Sequence, residues 1–151
     1  MGDLVKEAHA TVEGLFRSGY NCAESIVRGF GQLLNQDLGD ETYQLFSGYG
    51  GGLGHAGCIC GALNASIAVL GMFRGRKSNQ DDRLVVYNLA QKFHDCFEDE
   101  FGATCCRVLN QMPFGTREQK RQCLEITTNT ASLLMRFLLE EKLLSEDGTR
   151  L

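Results

Sequence analysis

The stretch that most constrains this chain is residues 48–71, GYGGGLGHAGCICGALNASIAVLG. Seven glycines fall between Gly48 and Gly61, and a helix-length run of apolar and small residues follows. Glycine admits positive φ and close backbone approach, so this density specifies a loop whose path matters more than its side chains. Cys58 and Cys60 stand where the loop turns into helix. A helix start presents unpaired N–H groups and about half a positive charge, which favours a thiolate over a thiol. The stretch therefore reads as a cysteine site on the first turn of a buried helix.

Two rival readings of the loop fail on context. Gly52-Leu53-Gly54-His55-Ala56-Gly57 matches the G-x-G-x-x-G string of dinucleotide-binding folds. That string has meaning only after a strand, and residues 41–47 offer no alternating or β-branched run. A phosphate-binding Walker loop fails because no Lys-Ser or Lys-Thr pair closes the glycines.

Bulk properties narrow the class further. A chain of 151 residues, 43% hydrophobic and 23% charged, is expected to form one domain with a proper core. A net charge of −4 argues against a nucleic-acid partner. The local group Arg117, Lys120 and Arg121 reads as the solvated first turn of a helix. No signal peptide is expected, since Met1-Gly2-Asp3 opens straight into an amphipathic segment. The longest apolar run, residues 67–73, is too short for a bilayer, so no membrane partner is expected. The expected compartment is the cytoplasm. Seven cysteines, an odd number, do not suit a structural disulfide framework there; metal binding or redox chemistry suits them better.

Taken in order, the chain reads as helices. Residues 4–18 carry Val5, Ala8, Val12 and Leu15 on one face. Asn21, with Glu24 three residues on, forms a capping-box pattern that makes Cys22 the first helical residue of a helix to about 34. Residues 41–46 are a short helical turn. The next helix, 60–73, is apolar nearly all round, which implies burial on every side. Residues 82–99 follow, with Val86, Leu89, Phe93 and Cys96 inward. Thr104 can cap a short helix through 109, placing Cys105 and Cys106 in its first turn. Thr116 and Gln119 open a long helix to about 144, with Cys123, Thr127, Thr130, Leu134 and Phe137 on one stripe. No strand pattern emerges. The expected fold is all-α: a single-domain bundle, residues 1–151, of five to six helices around a buried central helix preceded by the glycine-rich loop.

No C-x-x-C occurs, so neither a thioredoxin-type dithiol nor a haem attachment is encoded, and zinc-finger spacing is absent. Cys22, Cys60 and Cys106 instead fall in first turns of predicted helices, where thiols are acidified. Cys123 lies about two turns into the last helix. Cys96 reads as packing, and Cys58 and Cys105 as auxiliary to stronger neighbours. His55 in the glycine loop is placed to ligate a metal or to lower a thiol pKa.

These residues resemble a known family, the "putative redox-active" proteins named for a C…GCAxxG…C…C cysteine pattern. The matching stretches are Gly19-Tyr20-Asn21-Cys22-Ala23-Glu24-Ser25, Gly50-Gly51-Gly52-Leu53-Gly54 leading to Cys60-Gly61-Ala62, Phe101 through Cys106-Arg107-Val108-Leu109, and Cys123. Ala65 stands where the family motif has its second glycine. The resemblance implies four principal cysteines, Cys22, Cys60, Cys106 and Cys123, as redox thiols or metal ligands. A more distant similarity to the cysteine-bearing domain of split-Soret cytochromes implies an iron–sulfur cluster.

The resulting expectation is a cytoplasmic redox or electron-transfer protein that binds an iron–sulfur cluster or exchanges thiol and disulfide without a cofactor. A zinc on four sulfurs would be structural. The fold is expected to gather the four thiols, with Gly50, Gly51 and Gly52 forming one wall of the pocket and His55 offsetting thiolate charge. The redox partner protein is not named by the sequence. The alternative is a thiol-bearing helical scaffold acting as a homodimer, because residues 133–144 carry apolar groups beyond one face.

Overall fold

The computed structural model describes residues 2–151, so Met1 and its part in the expected opening segment lie outside the described residues. Among them are seven helices: α1 Gly2–Arg17, α2 Cys22–Leu33, α3 Asp40–Gln44, α4 Gly61–Arg74, α5 Leu84–Phe101, α6 Cys106–Leu109 and α7 Arg117–Glu140. The short α3 and α6 bring the count to seven rather than five to six. No strand occurs among the described residues, only two isolated bridges, Ile59 with Cys105 and Leu144 with Arg150.

The helices form where periodicity and caps dictate, and each buries its apolar face. Ala8 and Val12 of α1 are fully buried against α7 and α2, as are Ile26 and Phe30 of α2. The α4 helix packs on α2 and α5 through Ala62, Leu63, Ala65, Val69 and Leu70. Its burial is not all round, since Ile67, Ala68, Gly71 and Met72 are half-buried. On α5 the inward residues are Phe93 and Phe97, whereas Val86, Leu89 and Cys96 are half-buried. Phe97 lies four residues from Phe93, one turn along the same face, and extends the inward stripe expected from the sequence. The apolar residues after Leu133 are absorbed by the chain's own core, with Leu134, Met135, Leu138, Leu143 and Leu144 each buried. No helix is long and apolar enough to cross a membrane.

Between α3 and α4 the backbone makes a 3-10 turn, Ser47–Tyr49, and then a tight coil of glycines. Gly51 and Gly52 both sit at φ +67°, outside helical geometry, and break any continuous helix there. Two non-glycine residues share this strained region, Leu53 at φ 71° and His55 at φ 69°.

Candidate functional site

The capping box of α2 fixes the first thiol. Asn21 Oδ1 accepts from the Glu24 N–H at 2.9 Å, and Glu24 Oε1 accepts from the Asn21 N–H at 3.0 Å. Asn21 Nδ2 also donates to the Ser47 carbonyl at 3.0 Å, and the Ser47 hydroxyl donates to Glu24 Oε2 at 3.1 Å. The cap is thereby tied to the glycine loop, and Cys22, the first residue of α2, is held 4% exposed. A Cβ on Gly61 would stand 2.6 Å from Cys22 Sγ and 2.7 Å from the Tyr49 carbonyl oxygen. Glycine at 61 is what lets the Cys22 sulfur lie against the start of α4.

A short extended pairing brings in the next two thiols. Around the Ile59–Cys105 bridge, the Cys60 N–H donates to the Thr104 carbonyl at 2.8 Å and the Cys106 N–H to the Cys58 carbonyl at 2.6 Å. This pairing keeps both segments extended one residue longer than local signals suggest. Cys60 is therefore the N-cap of α4 rather than in its first turn, and Cys105, not Thr104, caps α6. Gly52 threads between them, since a Cβ there would meet the Cys58 carbonyl oxygen at 2.6 Å and Cys106 Cβ at 2.8 Å. Cys123 arrives from α7, whose cap Thr116 accepts from the Gln119 N–H at 3.2 Å. The Thr127 hydroxyl lies 3.9 Å from the Cys123 sulfur.

Electrostatics separates one acidified thiol from three whose pKa values are raised. Cys22 is lowered to about 7, chiefly because the Cys123 thiol donates to it; the N–H groups of Gly51, Ala23 and Cys22 itself face the sulfur and outweigh burial together with it. Cys123 is pushed up far beyond the ordinary thiol range, first by giving its proton to that contact, then by burial and the Cys22 charge. Cys60 is pushed up to about 12 by burial and by the charge on Cys22, against the Leu63 and Ala62 N–H groups facing it. Cys106 is raised by burial and by the same charge. Cys22 thus acts on each of the other three thiols, and Cys123 is the chief influence on Cys22.

The remaining candidates are arranged differently. Gly50 packs on the Asn21 side chain, and only Gly51 of the three glycines turns its N–H toward a sulfur. His55 is exposed, its ring covering Gly51 and stacked on Phe114 at 4.0 Å; no cysteine shift traces to it. The Cys58 sulfur faces the Arg107 guanidinium at 3.8 Å, which is itself anchored on the Gly57 and Ala56 carbonyls. Cys96 responds to burial, Asp99 and Lys92 and not to any other cysteine. Among the described residues, no three His, Cys, Asp or Glu side chains are grouped to hold a metal ion.

A cleft of about 1010 Å³ opens onto the paired thiols, with Cys22 and Cys123 in its lining beside Gly50, Gly51 and His55. Arg17, Arg117, Lys120 and Arg121 line it as well. The last three are exposed, as the solvated turn expected from the sequence would be, and they border this cleft as well. Gly61, which the sequence marked only as part of the Cys60-Gly61-Ala62 stretch, and Thr127, marked only as part of the inward stripe of the last helix, also contact the thiols. A second cavity of about 550 Å³, bordered by Glu100, Glu118, Glu125 and Asn129, holds no thiol.

Comparison with known proteins agrees with the cysteine pattern. The sequence model of the family described as "Putative redox-active protein (C_GCAxxG_C_C)" matches residues 20–137, and the chain belongs to that family. A relative from Archaeoglobus fulgidus, described as "Uncharacterized protein", is 27% identical over 151 aligned residues, covering 94% of this chain and 99% of its own. No solved structure matches.

Proposed function

We propose that this family member is a thiol–disulfide exchange protein in which Cys22 is the attacking thiolate and Cys123 the resolving thiol. The observation that carries the reading is that Cys22, acidified chiefly by the Cys123 thiol, lines the same open cleft as Cys123. A thiolate near ambient pH is the best attacking group in such exchange. In the first step the Cys22 sulfur displaces one thiolate from a disulfide substrate and forms a mixed disulfide. Cys123, having lost its proton to the departing thiolate, then attacks the Cys22 sulfur and releases the second thiolate. The substrate disulfide gains two electrons; one product thiol carries the Cys123 proton, the second thiolate takes its proton from solvent, and the protein is left with a Cys22–Cys123 disulfide. Cys60, buried, and Cys106, half-buried, have raised pKa values and stay protonated at neutral pH. A reducing cytoplasm, our expected compartment, would return the pair to dithiols.

Incubating the reduced chain with hydroxyethyl disulfide and mapping its peptides tests this. We expect loss of two thiols, a Cys22–Cys123 link, and a mixed disulfide trapped on Cys22 in Cys123→Ser. A link elsewhere, or no loss of thiols, overturns the reading.

One observation favours a second reading: Cys22 acts on the three other thiols, and four thiols near one another are the donor set of an iron–sulfur cluster. Cys22, Cys60, Cys106 and Cys123 would hold it, and it would supply one-electron transfer. One zinc ion fits less well, because no three ligating side chains among the described residues are grouped for a single ion. Anaerobic purification with an absorbance spectrum and iron, sulfide and zinc analysis separates these readings.

A further inference from the structure

The cleft over Cys22 and Cys123 carries a charge opposite to that of the chain. The protein is net −4, yet four cations line this cleft and only one carboxylate, Glu24, does. Glu24 is already engaged by the Asn21 N–H and the Ser47 hydroxyl. Arg17 is tied to Glu13 at 3.3 Å. Among the described residues Arg117, Lys120 and Arg121 form no ion pair. Arg121 also fronts the acidic second cavity, so Arg117 and Lys120 are the cations left for the thiol cleft.

Their spacing relates the charge to the sulfurs. Lys120 and Arg117 precede Cys123 by about 4.5 and 9 Å along the α7 axis, at the helical rise per residue. A molecule holding a sulfur at Cys22 and a carboxylate a few bonds away spans that interval. Arginine can grip a carboxylate with two parallel hydrogen bonds, and lysine adds a point charge. Because Cys22 is only 4% exposed, a slender molecule reaches it and a broad protein surface does not. A volume of about 1010 Å³ suits a small ligand.

We propose that this cleft selects low-molecular-weight disulfides that carry carboxylates, holding the carboxylates on Arg117 and Lys120 while the disulfide sulfur meets Cys22. The proposal rests on the exchange reading and assigns its substrate class. The electrons balance within the pair: Cys22 bonds to one sulfur, the other leaves as a carboxylate-bearing thiolate, and Cys123 completes the two-electron transfer.

The test uses the full reduced chain and three disulfides of similar size: dithiodipropionate, hydroxyethyl disulfide and cystamine. Cation-lined clefts raise the on-rate of anions by about tenfold or more, an effect that falls with ionic strength. We expect the anionic disulfide to be reduced about tenfold faster than the neutral one, and the cationic one slowest. Arg117→Glu and Lys120→Glu, both exposed positions, should flatten that order, as should high salt. A second readout does not involve exchange: the ratio of iodoacetate to iodoacetamide alkylation at Cys22, relative to free cysteine, should be raised in the native chain and fall in both variants. Equal rates for the three disulfides, or an alkylation ratio untouched by the charge reversals, overturn the selectivity and leave exchange standing. Reduction of none of the three overturns the exchange reading itself, and the proposal with it.

Discussion

Cys22 differs from the other cysteines in what faces its sulfur rather than in how deeply it lies. Cys60 is as buried and also sits at a helix start, yet its pKa moves the other way. The difference is the donor: Cys22 accepts hydrogen bonds from the Cys123 thiol and the Gly51 N–H, whereas the chief influence on Cys60 is burial. Alkylation of Cys22 across pH should therefore show a midpoint of about 7. Removing the chief donor in Cys123→Ala destabilises the thiolate and should move that midpoint up toward the ordinary thiol range. Mass spectrometry of each cysteine peptide reads both. A Cys123→Ala profile that superimposes on the wild type would show that the helix start and loop alone hold the charge.

At the scale of elements, what was legible in the sequence was local, and what was not depended on pairing across distance. The Asn21–Glu24 capping box needs only residues three apart, and α2 begins where that signal puts it. The starts of α4 and α6 are displaced by one residue because residues 58–60 and 104–106 pair, a contact no local pattern announces. The glycine density marked the loop correctly as a path, and Gly51 and Gly52, named from the sequence, both take positive φ; the constraint on the helix that follows was not announced. Gly61, inside the helix, proves as constrained as the loop glycines. Gly61→Ala places a methyl against Cys22 Sγ and backbone, and overpacking of this kind costs about 1–3 kcal/mol. Gly71 lies in the same helix but faces open space, where a Cβ would meet no neighbouring atom within 4 Å. Gly71→Ala should therefore stabilise by about 0.5–1 kcal/mol through helix propensity. Thermal unfolding decides the pair, at about 2–4 °C per kcal/mol for a chain of this size. Two shifts of the same sign would contradict the placement of α4 against α2.

For the molecule as a whole, gathering these thiols makes stability a function of pH with two limbs. Cys22 titrates near 7 in the native chain and in the ordinary thiol range when unfolded. Between those values the unfolded state binds more protons, so stability rises with pH, by of order 2 kcal/mol in total. Cys60 and Cys123 act in reverse. Their native pKa values are raised, that of Cys60 to about 12, so above the ordinary thiol range the native state holds protons that the unfolded chain gives up. Stability present below that range is then lost as pH rises, at up to about 1.4 kcal/mol per pH unit for each thiol. Denaturant midpoints measured under reducing conditions from neutral to strongly alkaline pH should pass through a maximum near the ordinary thiol pKa. Lysines and tyrosines also titrate on the alkaline side, so the difference between wild type and Cys60→Ser isolates the thiol contribution: the variant should start less stable and lose less. Parallel alkaline limbs in the two proteins would mean that Cys60 is not held as a buried neutral thiol beside the Cys22 charge, and that the four sulfurs are not coupled as one site.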